Sequence, residues 1–152
     1  MDKPRVLVSL CLLGAQCRYD GQCKPPLAEL ALLQSRFDLI PICPEQLGGL
    51  ATPRPPAERR GSRVVTASGL DVTDAYARGA QQVLQLARQF SCRAAILKAK
   101  SPACGSGLIY DGSFTRRLVP GWGVAAQLLW ENGLLVCDET QISWLLTQFH
   151  DT

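Results

Sequence analysis

RVLVSL, residues 5–10, runs directly into Cys11. A short apolar run rich in Val and Leu, too short for a helix, reads as a strand buried on both faces, the kind that parallel sheets contain. DLIPIC at 38–43, AAILK at 94–98 and LLVC at 134–137 read the same way. Between these runs lie helical patterns at 27–35, 73–90, 124–131 and 140–149. The longest carries Tyr76, Ala80, Val83, Leu84, Ala87 and Phe90 at three- and four-residue spacings, with Asp71 or Thr73 as N-cap and Gly79 as its weak point. Strands alternating with helices predict an α/β fold: a parallel sheet with flanking helices and right-handed crossovers, Rossmann-like in outline.

Two stretches stand outside this alternation. PEQLGGLATPRPPAERRG at 44–61 holds four prolines and three glycines and has no period, so a long loop is expected. Ordering such a loop costs entropy that something it grips must offset, which makes it a candidate active-site element. Residues 101–123 contain an expected small hairpin insertion turning near Asp111-Gly112, with flanks at 108–110 and 113–118. No repeat, linker or low-complexity segment is visible, and residues 1–152 read as a single domain.

Hydrophobic residues make up 47% of the chain and mean hydropathy is +0.05, which excludes disorder as the main state. Lys and Arg number 16 against 13 Asp and Glu, a net charge of +3 spread along the sequence. A polyanion binder concentrates its basic residues in a stripe, so nucleic acid is not expected as a partner. The one local cluster, Arg54, Arg59, Arg60 and Arg63, could meet a single phosphate. No apolar run approaches the ~18 residues that span a bilayer, and residues 6–13 are too short and too early for a signal peptide, so a cytoplasmic location is expected. Seven cysteines then need a use other than disulfides, because the cytosol keeps thiols reduced and an odd number cannot pair fully.

Cys11 follows the first strand, Cys43 ends the second, and Cys104 lies a few residues beyond the third, in SPACG. All three reach the sheet edge where ligands bind in open parallel sheets. A single cysteine is usually a small buried hydrophobe. Three at equivalent strand ends, set among Gly and Pro, point instead to a shared metal or cluster. Cys92 and Cys137 read as packing residues and Cys23 as a bystander; Cys17, six positions past Cys11, could be a fourth ligand. The CxxC pairs of structural zinc are missing, and three distant thiolates suit an iron–sulfur cluster at least as well, one that would leave an iron open to a soft sulfur atom. A non-catalytic zinc module or a thiol redox sensor is the alternative.

Glu45 and Ser101 stand two and three positions from Cys43 and Cys104 and would line the same crevice, where a carboxylate can do acid–base work. Taken singly, Glu45 reads equally as a loop residue and Ser101 as a turn former. GWGVAA at 121–126 matches the outline of a dinucleotide fingerprint, but Pro120 precedes it where a buried strand should lead in, so a helix start after the hairpin is the better reading. His150 is expected to fray in solvent. The tryptophans read as helix-face packing residues, with Trp122 alone near enough to the loops to stack on a ring.

With these residues in view, the chain resembles the thiouracil desulfidase (TudS) family over nearly its full length. The resemblance rests on SLCLLGAQCRYDG at 9–21, ICPEQLGGLATPRPPAE at 42–58, DVTDAYARGA at 71–80, LKAKSPACGSGLIYDGSF at 97–114 and PGWGVAAQLL at 120–129. It implies a [4Fe-4S] cluster held by Cys11, Cys43 and Cys104, with the fourth iron open to the sulfur of the substrate and Glu45 and Ser101 as the catalytic pair. The implied reaction is a non-redox desulfuration of thiouracil, as 4-thiouracil or its nucleoside or nucleotide, to uracil and sulfide. The implied partners are a small thiolated pyrimidine and the iron–sulfur assembly machinery, and Arg54, Arg59 and Arg60 are the candidates to orient a nucleotide phosphate. The family usually reads SPSCG and SACLLG where this chain has Ala103 and Leu10; neither departure removes a ligand.

Overall fold

The computed structural model describes residues 2–15, 18–22 and 24–149. In chain order the elements are β1 (Arg5–Ser9), a 3-10 turn (Leu10–Leu13), α1 (Leu30–Arg36), β2 (Asp38–Ile42), α2 (Pro44–Leu47), β3 (Ala57–Arg60) and β4 (Arg63–Thr66). There follow α3 (Thr73–Gln89), β5 (Ala94–Leu97), β6 (Ser106–Tyr110), β7 (Leu118–Trp122), α4 (Val124–Glu131), β8 (Leu135–Asp138) and α5 (Ile142–Thr147).

The four apolar runs form one sheet in the order β2-β1-β5-β8, with every pairing parallel; Val6 lies opposite Leu39 on one side and Ala94 on the other. Successive side chains of a strand point to opposite faces. Leu7, Ala95 and Leu97 therefore pack with Tyr76, Val83 and Leu84 of α3 and Leu129 of α4. Val6, Val8 and Ile96 pack on the other face with Leu33, Phe37, Ile142 and Leu145. Helices cover both faces, which is why the strands carry unbroken apolar runs. Pro41, which has no N–H for a second neighbour, sits on the edge strand β2. The chain adds β2 to one side of β1 and β5 to the other, so the topological switch point lies between β1 and β5.

Several local expectations are corrected. Residues 44–61 are not one structureless loop: α2 opens the stretch with Pro44 in its first turn, and β3 closes it, paired antiparallel with β4 from Ala57↔Thr66 to Arg60↔Arg63. Elements of four residues are too short to show a period. The hairpin exists, but its return strand is β7 at 118–122, and 113–118 belongs mostly to the turn; Pro120 is accommodated because the ribbon has only two strands. The N-cap of α3 is Val72, which makes no side-chain cap. Asp71 Oδ1 accepts the Thr73 N–H at 2.9 Å, while Thr73 Oγ1 accepts the Val64 N–H at 2.9 Å and ties the helix start to β4. Trp130 and Trp144 are exposed rather than packed inward. No helix among the described residues is long and apolar enough to cross a membrane.

Gly79 is a contact point rather than a weak point. A Cβ built there would lie 1.9 Å from the Pro44 carbonyl oxygen, and one on Gly48 2.0 Å from that of Ala75, so α2 and α3 meet backbone to backbone. In an exposed helix Gly→Ala gains about 1 kcal/mol. Here the methyl must push α2 away, and Gly79→Ala is expected to lower the unfolding free energy by about 2 kcal/mol in urea titration. A more stable variant would show that α2 does not lean on α3.

Candidate active site

Beyond the carboxyl ends of β1, β2 and β5 lies a cavity of about 660 Å³. Cys11 reaches it from the 3-10 turn after β1, Cys43 from the end of β2, and Cys104 from the turn after β5; Glu45 and Ser101 line the same space. All five candidate residues are therefore brought together, at the switch point where the strand order reverses. Cys137 is buried in the core on the α1–α5 face and Cys92 follows α3, both as packing residues. Cys17, Cys23 and His150 lie outside the described residues.

Cys104 is buried, and its Sγ accepts a hydrogen bond from Ser9 Oγ at 3.5 Å. Ser9 Oγ in turn accepts the Lys98 N–H at 3.0 Å, which fixes the hydroxyl's direction. Burial pushes the Cys104 thiol well above the ordinary thiol range; the Ser9 bond draws it back in part, and Glu45, Cys11 and Cys43 push it further up. Such a thiol becomes a ligand by giving its proton up to a metal centre. Among the described residues, no three His, Cys, Asp or Glu side chains are grouped as a single metal ion requires. Three thiols on the walls of one cavity are the donor chemistry that a multi-iron cluster takes, since each iron binds its own thiolate.

Glu45 sits in the first turn of α2, and its carboxylate is gripped from two sides. Tyr76 Oη and Arg54 Nε donate to Oε2, the latter at 3.4 Å, while Arg54 Nη2 lies 3.2 Å from Oε1. The Arg54 side chain is only 5% exposed. Burial is the largest single influence and opposes its charge, but the charge and hydrogen bond of Glu45, joined by Cys43 and Tyr76, together hold the guanidinium pKa above its ordinary value. Burial, with the Glu45 charge second, raises the Tyr76 hydroxyl, which stays a neutral donor. Ser101 Oγ accepts the N–H groups of Ala103 and Cys104, both at 3.1 Å, so it closes the SPACG turn while facing the cavity.

The GWGVAA segment supports this turn. The N–H groups of Gly123, Val124, Ala125 and Ala126 bond to carbonyls of Gly105, Pro102 and Ala103 at 2.7–3.1 Å, and a Cβ on Gly123 would lie 2.4 Å from the Ala103 carbonyl carbon. The amides that would cradle a pyrophosphate are thus already used, and the segment is a helix start after the hairpin. The arginines expected at a phosphate are also engaged within the fold: Arg54 with Glu45, Arg59 with the Trp122 carbonyl at 2.6 Å and Gln127 at 2.8 Å, and Arg60 with the Gly112 carbonyl at 2.7 Å. Trp122 stacks on Trp130 at 5.4 Å instead of lining the cavity. Sequence reasoning missed Tyr76 and Arg54 as partners of Glu45, and missed the cavity's cations, Arg18, Lys24, Lys98, Lys100 and Arg116, and its rings, Tyr19, Tyr110 and Phe114.

A parallel α/β sheet with a thiol-rich cavity at its switch point, and a clamped carboxylate inside it, defines a class: α/β enzymes with a cysteine-lined site at the carboxyl ends of the strands. Residues 6–141 match the model of the 2-thiouracil desulfurase family, and the chain belongs to that family. A solved structure described as a [4Fe-4S]-dependent thiouracil desulfidase, TudS, is 46% identical and superposes with a TM-score of 0.91, over 96% of this chain and 97% of that one. The uncharacterized protein YbbK of Bacillus subtilis (strain 168) is 40% identical over 151 residues, 93% of this chain and 99% of its own.

Proposed function

We propose that this chain is an iron–sulfur enzyme that replaces the sulfur of a thiolated uracil by oxygen, giving uracil and sulfide. Its [4Fe-4S] cluster is held by Cys11, Cys43 and Cys104, and Glu45 and Ser101 are the catalytic pair. The observation that carries this reading is the delivery of three thiols, from three strand ends, into the cavity that also holds Glu45. Membership of a desulfurase family and a neighbour described as [4Fe-4S]-dependent support it.

When bound, a cluster with one iron lacking a protein ligand supplies a soft Lewis acid for a thiocarbonyl sulfur. The protein's part is positional and protonic. Glu45 takes the proton of the water that adds to the ring carbon, with Arg54 and Tyr76 holding its carboxylate toward the cavity. Ser101 Oγ already accepts two N–H groups, so its hydrogen is directed to the substrate, where it steadies the ring heteroatom that gains charge. Glu45 returns that proton to the sulfur, which leaves with the bonding pair as hydrosulfide, while the added hydroxyl gives its remaining proton to Glu45 and so to solvent as the carbonyl forms; no net electron is transferred. The reading sets the enzyme in the cytoplasm, where thiols stay reduced, with its cluster supplied by the assembly machinery and a small pyrimidine rather than nucleic acid as substrate.

Anaerobic reconstitution tests it. A brown protein with iron and labile sulfide is expected to remove the characteristic absorbance of 2-thiouracil, 4-thiouracil or their nucleosides and nucleotides, assayed in parallel, and to release sulfide. A colourless zinc protein, or a loaded protein that leaves all of these compounds intact, would overturn the proposal.

A further inference from the structure

Glu58 and Phe114, the last residues of the stretches 42–58 and 97–114, are bonded to each other in the fold. Glu58 Oε1, on β3, accepts the N–H of Gly112 at 3.0 Å and that of Phe114 at 3.2 Å. Arg60, on the same strand, donates from Nε to the Gly112 carbonyl at 2.7 Å, and its stem lies so close that a Cβ on Gly112 would meet Arg60 Cγ at 2.2 Å. The loop between β6 and β7 is thus docked onto the β3–β4 ribbon from both its N–H and its C=O side. It also holds Phe114 at φ 60°, a left-handed conformation costly for a bulky side chain and kept only where the surroundings impose it. The outcome is an aromatic ring, half-buried, on the wall of the thiol cavity. Nothing in the core requires it there, since Phe114 belongs to neither buried cluster.

We infer that Phe114 is the platform on which the substrate's pyrimidine ring stacks, and that Glu58 is the positioning residue that aims it. This rests on the thiouracil reading and adds to it the group that holds the flat face of the ring. A uracil ring offers only a few polar atoms to hydrogen bonds, whereas its π-face is available to any aromatic side chain. Glu58 acts as an acceptor of two backbone N–H groups through one oxygen, a task that a neutral amide oxygen performs as well.

The test uses the cluster-loaded enzyme. Phe114→Ala and Glu58→Ala are expected to raise KM for the thiolated substrate about tenfold or more, with kcat and iron content near those of the wild type; the melting temperature stays near the wild type's in Phe114→Ala and falls in Glu58→Ala, where two N–H groups lose their acceptor. Glu58→Gln keeps the accepting oxygen and is expected to rescue KM. Uracil binding, measured by calorimetry, should weaken by a similar factor in Phe114→Ala. An unchanged KM and unchanged uracil affinity in Phe114→Ala would overturn the platform, and a Glu58→Gln variant behaving like Glu58→Ala would overturn the aiming role. Either result beside an active wild type leaves the desulfidase reading standing. A wild type that neither desulfurates nor binds uracil defeats both.

Discussion

Cys104→Ala, reconstituted beside the wild type, is expected to hold only background iron and labile sulfide and to show no thiouracil turnover. Cys104 is the most deeply placed of the three cavity thiols, and the serine that bonds to it is itself buried and fixed by the Lys98 N–H. Under the proposed ligand set its loss leaves two thiolates, and two irons without protein ligands are open to chelators and to hydrolysis. Cys137→Ala is the matched control. That residue is fully buried in β8, its thiol pushed up to about 12 by burial, with Asp138 adding to the shift. It packs as a small hydrophobe, so its replacement is expected to cost about 1 kcal/mol of stability and leave iron content unchanged. Cys17→Ala is expected to keep both iron and turnover; iron lost from that variant would require a fourth ligand and close the position the substrate needs.

The sheet was readable because its central strands β1 and β5, buried on both faces, have no polar side to interrupt them, and the less buried edge strands β2 and β8 keep enough apolar residues to read the same way. The meeting of Cys11, Cys43 and Cys104 was readable for a related reason: residues that follow parallel strands arrive at one edge whatever lies between them. The clamp on Glu45 was not. Tyr76 fits the apolar face of α3, where its ring indeed packs at 2% exposure, and nothing in its spacing announces that the hydroxyl reaches a carboxylate on another helix. That reach depends on the close approach of α2 to α3, and Gly48 and Gly79, which permit it, look in sequence like a loop glycine and a helix weak point. Arg54 was grouped with Arg59 and Arg60 by proximity along the chain, yet the three point to three different partners. The cavity's cations were invisible because Arg18 and Lys24, Lys98 and Lys100, and Arg116 come from three separate segments and form no basic run. Phe114 was passed over for Trp122, since the left-handed turn that carries it to the cavity has no signature when glycine is absent.

Glu45→Gln is expected to lower kcat by about 10²- to 10⁴-fold, with iron content and KM little changed. The substitution keeps the side chain's shape and leaves an amide oxygen that can still accept from Tyr76 or Arg54, but it removes the group that takes the proton of the attacking water. Its cost to folding is contained. Arg54 loses an ionic partner at a site where its side chain is nearly buried, but keeps its bonds to the Ala51 carbonyl at 3.2 Å and to Thr52 Oγ1 at 3.0 Å. Turnover normalised to bound iron separates the chemical loss from any loss of folded protein, and a thermal melt gives the second quantity directly. Tyr76→Phe, which removes one neutral donor and leaves the carboxylate, is expected to cost about tenfold, in line with one hydrogen bond to a charged group. The order of the two effects discriminates: a carboxylate that moves a proton must matter far more than the hydroxyl that orients it. Should Glu45→Gln keep a tenth or more of wild-type turnover, Glu45 would be a structural partner of Arg54, and the proton would have to pass through Ser101 or through solvent.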